Sequence, residues 1–83
     1  MNIEPLRVDV REYLRKRQLT KKWDKARALF EQDIHHPSLN FELLEPHWRG
    51  IYSFRIDRKY RALFFLTPRG TAEVFAVTNH YKK

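Results

Sequence analysis

Gly50-Ile51-Tyr52-Ser53-Phe54-Arg55-Ile56-Asp57-Arg58-Lys59-Tyr60-Arg61-Ala62-Leu63-Phe64-Phe65-Leu66 is the stretch that decides the fold. Its first part has an apolar period of two. Tyr52, Phe54 and Ile56 alternate with Ser53, Arg55 and Asp57, as in a strand with one buried face. Asp57-Arg58-Lys59 reads as a turn. Tyr60 to Leu66 is apolar apart from Arg61, the pattern of a central strand. Thr67-Pro68-Arg69-Gly70 is a tight-turn signal. Thr71 to Thr78 then forms a third strand, with Val74 and Ala76 on one face and Phe75 and Val77 on the other.

Upstream, the period is that of a helix. Arg7 to about Arg17 places Val10, Tyr13, Leu14 and Arg17 on one stripe, with Asp9 as the expected cap. After the break at Gln18-Leu19-Thr20, a second helix is expected from about Lys21 to Ile34, capped by Thr20. Trp23, Ala26, Phe30 and Ile34 follow each other at spacings of three or four, with Arg27 at the edge. Pro37 biases His36 away from helical geometry and ends the hairpin. Ser38 to Arg49 reads as a connection anchored by Phe41, Leu43 and Leu44, with Pro46 and Gly50 opposing a long strand. Met1 to Leu6 contains Pro5 and reads as a short edge strand or a loose arm. The expected fold class is α+β. A helical hairpin packs on one face of a small antiparallel meander, the face bearing Arg55 stays open, and an N-terminal strand is short or absent.

The chain has 83 residues, so residues 1–83 are read as one domain with a core of marginal size. It has no cysteine, which excludes disulfides and thiolate metal sites and suits a reducing cytoplasm. No apolar run approaches a membrane span, so no membrane partner is expected. Glu4, Arg7 and Asp9 do not fit the apolar region of a secretory leader, and none is expected. Seventeen Lys and Arg against ten Asp and Glu give +7. So basic a domain usually meets a polyanion. The bland alternative is solubility alone, but several arginines fall inside strand patterns.

Arg55 falls at an outward strand position, where most arginines are simply solvated. Arg61 interrupts an apolar run and needs an anionic partner, since an unpaired buried charge is costly. That partner is either an internal acid, Glu42 or Glu45, or a phosphate, which the guanidinium fork suits. His80 ends the third strand and is suited to proton donation near neutral pH. Tyr81 either stacks on a base or closes the core. His35, His36 and His47 read as surface residues without metal-ligand spacing. The chain has two glycines and no phosphate loop, no HExxH and no nucleophile elbow, so any catalysis is expected to need no metal and no cofactor. RNA cleavage fits, because the substrate's own 2′-hydroxyl is the nucleophile.

Glu42, then Gly50-Ile-Tyr-Ser-Phe-Arg-Ile, then Tyr60-Arg61-Ala-Leu-Phe-Phe, then His80-Tyr81 resembles the RelE/ParE superfamily of toxins from type II toxin-antitoxin modules, in its YoeB/Txe and RelE branches. The resemblance spans nearly the whole chain. It implies a ribosome-dependent mRNA endonuclease. Glu42 would be the general base, His80 the general acid, Arg55 and Arg61 the phosphate-stabilising pair, and Tyr81 a substrate-orienting residue. Where such toxins tend to carry consecutive arginines, this chain has Phe54-Arg55, and Arg58, Lys59 and Lys82 would supply further RNA contacts. The implied partners are mRNA, the ribosome and a cognate acidic antitoxin, with the chain a monomer alone or joined to that antitoxin. The alternatives are a ParE-type toxin that binds DNA gyrase without cutting nucleic acid, and an inactive antitoxin-binding module.

Overall fold

The computed structural model describes residues 1–79. His80, Tyr81 and Lys82 therefore lie outside the described residues. Helix α1 spans Val8–Lys16 and α2 spans Thr20–Gln32. Four antiparallel strands follow: β1 (Glu42–Leu43), β2 (Ile51–Arg55), β3 (Arg61–Leu66) and β4 (Ala72–Thr78), in the order β1-β2-β3-β4. This is the expected α+β arrangement, with one more strand than the sequence pattern marks. No helix among the described residues is long and apolar enough to cross a membrane.

The helices form where their stripes do. Val10 and Leu14 of α1 and Trp23, Ala26 and Phe30 of α2 are buried. The caps differ from expectation. Arg7 precedes α1 with no side-chain cap, and Asp9 lies inside the first turn, where its charge meets the positive helix end. Leu19, not Thr20, precedes α2. Leu19 is buried in the core, and that packing fixes the helix start in place of a capping hydroxyl. Helix α2 also stops two residues early. The Asp33 carboxylate accepts the His35 backbone N–H at 3.0 Å, a local turn that competes with the next helical bond.

The core is aromatic. Phe30 packs on Phe54 at 4.7 Å and on Phe64 at 5.3 Å between ring centroids, and Trp23 closes on Phe54 at 5.8 Å. All of these lie on the sheet face that the helices cover. Phe41 stacks on Tyr52, nearly parallel at 7°, and holds the connection against the sheet. Leu39 is the connection's most buried anchor, and Leu44 is buried too, whereas Leu43 is exposed. Leu43 faces solvent because the connection forms a β1 edge strand there.

Strand β4 breaks the expected alternation. Leu63 pairs with Ala76 but Phe64 pairs with Val74, so Phe75 is an extra residue. This bulge puts both Val74 and Val77 in the core and leaves Phe75 and Ala76 half-buried. The N-terminal segment is tied to the sheet, but by a single parallel bridge between Ile3 and Ala72. Glu4 N–H donates to the Ala72 carbonyl at 2.8 Å, and Ala72 N–H donates to the Asn2 carbonyl at 2.9 Å. Pro5 has no N–H with which to extend the ladder.

Phe54→Ala removes the ring shared by Trp23, Phe30 and Phe64. A loss of about 3–5 kcal/mol is expected, read as a lowered urea midpoint. A variant within about 1 kcal/mol of the parent would mean that the core collapses to fill the space.

Candidate functional site

Period-two alternation and antiparallel pairing bring Glu42, Ser53, Arg55 and Arg61 to one face of the sheet. Glu42 pairs with Ser53 across β1 and β2, Arg55 with Arg61 across β2 and β3, and Arg61 with Thr78 across β3 and β4. Directly paired residues share a face. This face lies opposite the aromatic core.

Arg61 is buried, with its side chain 11% exposed. Its Nε donates to Ser53 Oγ at 3.0 Å, and its Nη2 donates to the same oxygen at 2.8 Å and to the Asn40 carbonyl at 2.6 Å. Glu42 Oε1 lies 3.8 Å from the same Nη2, and Asn40 Nδ2 donates to that oxygen at 3.4 Å. The sequence left the acid open between Glu42 and Glu45. The structure brings Glu42 to Arg61, while Glu45 is exposed and lines no part of this cluster.

Asn40 makes this possible by its backbone. It adopts the left-handed conformation, φ 46°, at the end of the short turn Pro37–Leu39. Asparagine tolerates that region better than other side chains. Its carbonyl is thereby aimed at the guanidinium.

Arg55 is exposed, as the alternation predicts. It has no ion-pair partner among the described residues. Arg58 and Lys59 are exposed on the turn that follows. A depression of about 260 Å³ opens beside the cluster, lined by Asn40, Glu42, Arg55, Asp57, Arg58, Lys59 and Arg61. Among the described residues, four cations thus line it against two carboxylates.

Asp57 is committed elsewhere. Its Oδ1 accepts the backbone N–H of Lys59 and of Tyr60, both at 2.8 Å, and its Oδ2 meets Lys22 Nζ at 3.2 Å. Partial burial pushes this carboxyl up, but the Tyr60 and Lys59 N–H groups and the Lys22 ammonium outweigh it. The carboxyl is held below the usual aspartate range. Asp57 therefore sets the turn that presents Arg58 and Lys59.

The face can thus hold a small anion between two guanidinium groups, with a carboxylate at its edge. It offers nothing resembling a metal centre: among the described residues, no three His, Cys, Asp or Glu side chains converge. Ser53 and Asn40 escape sequence reasoning. Ser53 reads as an outward, solvated position, yet it is fully buried beneath Arg61. The signal available was the need of Arg61 for acceptors.

The fold is that of several solved structures. A YoeB/ParE toxin from Agrobacterium tumefaciens matches with TM-score 0.69 and 17% identity, over 98% of this chain and 100% of that one. A YoeB-YefM complex from Staphylococcus aureus matches with TM-score 0.67 and 18% identity, over 98% of each chain. A YoeB dimer from Staphylococcus aureus matches with TM-score 0.63 and 17% identity, over 96% of this chain and 94% of that one. No protein-family model matches the chain, and no curated protein matches it.

Ser53→Ala leaves two donors of a buried cation without their shared acceptor. A destabilisation of about 1.5–3 kcal/mol is expected, visible in the denaturation midpoint. A neutral result would show that Asn40 and Glu42 suffice. The Asp57 pair has a pH signature. A carboxyl depressed on folding adds stability above its unfolded pKa of about 3.9 and loses it as pH falls through the lower folded value. Asp57→Asn should therefore lower the midpoint modestly at pH 7, and the gap should shrink as the pH is taken below 4. A gap that stays constant over that range would show that the charge plays no part.

Proposed function

We propose that this chain is the toxin of a type II toxin-antitoxin pair and that it cleaves mRNA on the ribosome. The carrying observation is the pairing of exposed Arg55 with buried Arg61 beside Glu42, on a face whose shape and charge suit a phosphate diester. The chain continues from Thr78, the partner of Arg61, to His80-Tyr81 in sequence. The shared fold with YoeB toxins supports the reading.

The chemistry needs only the substrate's own nucleophile. The Glu42 carboxylate takes the proton of a ribose 2′-hydroxyl. The 2′-oxygen forms a bond to the adjacent phosphorus. Arg55 and Arg61 balance the charge that grows on the non-bridging oxygens. The bond to the 5′-oxygen breaks as His80 gives that oxygen a proton. The products are a 2′,3′-cyclic phosphate and a 5′-hydroxyl. Tyr81 orients the substrate, and Arg58, Lys59 and Lys82 hold flanking phosphates.

The solved YoeB-YefM complex supports a second partner. A +7 chain of the same fold is suited to an acidic antitoxin segment laid over the basic face. Such a pair would act in the cytoplasm.

Arg55 and Arg61 are unequal as tests. Removing Arg61 would leave Ser53, the Asn40 carbonyl and Glu42 without their cation, so Arg61→Ala is expected to damage the fold as well as the site. Arg55→Ala, Glu42→Gln and His80→Gln are the cleaner variants. Primer extension after brief induction should map new cuts inside translated codons. The cuts should fall by about 10²-fold in Arg55→Ala and vanish in His80→Gln, with the protein still folded. Growth arrest with mRNA intact would overturn the nuclease reading and point to gyrase, checked by a supercoiling assay.

A further inference from the structure

A second concavity, of about 360 Å³, lies between α2 and the turn after β2. Its floor is apolar: Ala26, Leu39 and Ile56 are buried, and Leu29 is half-buried. Its rims are basic. Lys22 and Lys25 stand on the helix side, and Arg55 and Arg58 on the sheet side. Among the described residues Asp57 is the single acid lining it, and its carboxylate is taken up by Lys22 and two backbone N–H groups. Helical spacing explains the helix wall, since residues 22, 25, 26 and 29 fall on one face.

Arg55, Asp57 and Arg58 line this groove and the depression beside Arg61 alike. The two concavities are therefore neighbours across one pair of arginines. A chain lying in one can run directly into the other.

We infer that this groove is a nucleotide subsite, which takes a base of single-stranded RNA next to the scissile phosphate. The inference rests on the nuclease reading and names how the substrate is held. An apolar floor bounded by cations on both sides matches a nucleotide, with its flat apolar base between anionic phosphates. The base lies against Leu29 and Ile56. Its flanking phosphates meet Lys25 on one rim and Arg58 on the other. An acidic peptide would use the rims, but it has no special need of the floor or of continuity with Arg55.

The test uses the whole protein and RNA that cannot be cut: 2′-O-methyl oligoadenylates, one a dinucleotide and one a hexanucleotide. The hexanucleotide should bind more tightly. Leu29→Gln should cost roughly tenfold of that affinity, the scale of losing one partly buried apolar side-chain contact. Lys25→Ala should lower the slope of log affinity against log salt by about 0.7, the value for one phosphate on a single strand. Lys16→Ala removes a charge from α1, away from the groove, and should change neither. Circular dichroism of each variant confirms folding.

If mRNA cuts occur in cells but the hexanucleotide shows no advantage, or keeps it in both groove variants, the subsite is overturned and the nuclease stands. If the wild-type chain neither cuts mRNA nor binds either oligonucleotide, the nuclease reading falls and takes the subsite with it. If Lys25→Ala leaves RNA affinity unchanged but weakens an acidic antitoxin peptide, the groove is a protein interface and the inference is wrong.

Discussion

A buried arginine constrains the rest of this structure. Arg61 opens the otherwise apolar strand β3 with its side chain buried, where a bare guanidinium would be very costly. Among the described residues, its Nε and Nη2 donate to the Ser53 hydroxyl one strand away and Nη2 also to the Asn40 carbonyl in the connection, and the Glu42 carboxylate on the edge strand stands as its ion-pair partner. Each partner makes a demand in turn. Ser53 must be small and polar at a strand position with no access to water. Asn40 must hold a left-handed backbone. Glu42 must lie opposite Ser53, which turns two residues of an otherwise irregular connection into strand β1.

The division of labour between the two sheet faces follows. Phe54 and Phe64 alternate with Ser53, Arg55 and Leu63, so one face carries the aromatic core and the other carries the charged cluster, beside the stacked pair of Phe65 and Phe75. The aromatic cluster supplies rigidity at the backs of the strands that carry the polar cluster. Groups on paired strands with a packed rear face hold their spacing better than groups on loops. Asp57 extends this control to the turn, because its carboxylate fixes the backbone from which Arg58 and Lys59 project.

Much of this was legible in the sequence, for physical reasons. Period two over Tyr52–Asp57 and period 3.6 over Trp23–Phe30 mark the strand and the helix, because burial imposes both. What escaped depends on contacts between distant residues. A two-residue strand such as β1 has no period to detect. The bulge at Phe75 leaves Val74 and Val77 both apolar, so the pattern around it reads as ordinary alternation. Leu39 surpasses Leu43 as an anchor only because the Pro37–Leu39 turn directs it inward. In the site, Arg55 and Arg61 stood out by type and position. Glu42 could not be separated from Glu45 until pairing with Ser53 fixed its face. Ser53 was hidden by its own alternation, since an outward polar residue normally meets water rather than a neighbouring arginine.

The placement of Arg55 separates a structural arginine pocket from an anion site. A guanidinium buried for stability alone requires acceptors and a counter-charge, and Ser53 and Asn40 provide the first and Glu42 the second. It gains nothing from a second arginine directly opposite on the neighbouring strand, because like charges so placed repel. The fold nevertheless pairs Arg55 with Arg61 and adds Arg58 and Lys59 at the next turn. The nearby Asp57 is turned toward Lys22 and the backbone instead. Among the described residues Glu42 pairs with Arg61 and no acid pairs with Arg55, so the positive charge there is least offset on the Arg55 side. On the proposed reading, a phosphate diester in the depression would offset the like charges of the two strands, with Glu42 beside it.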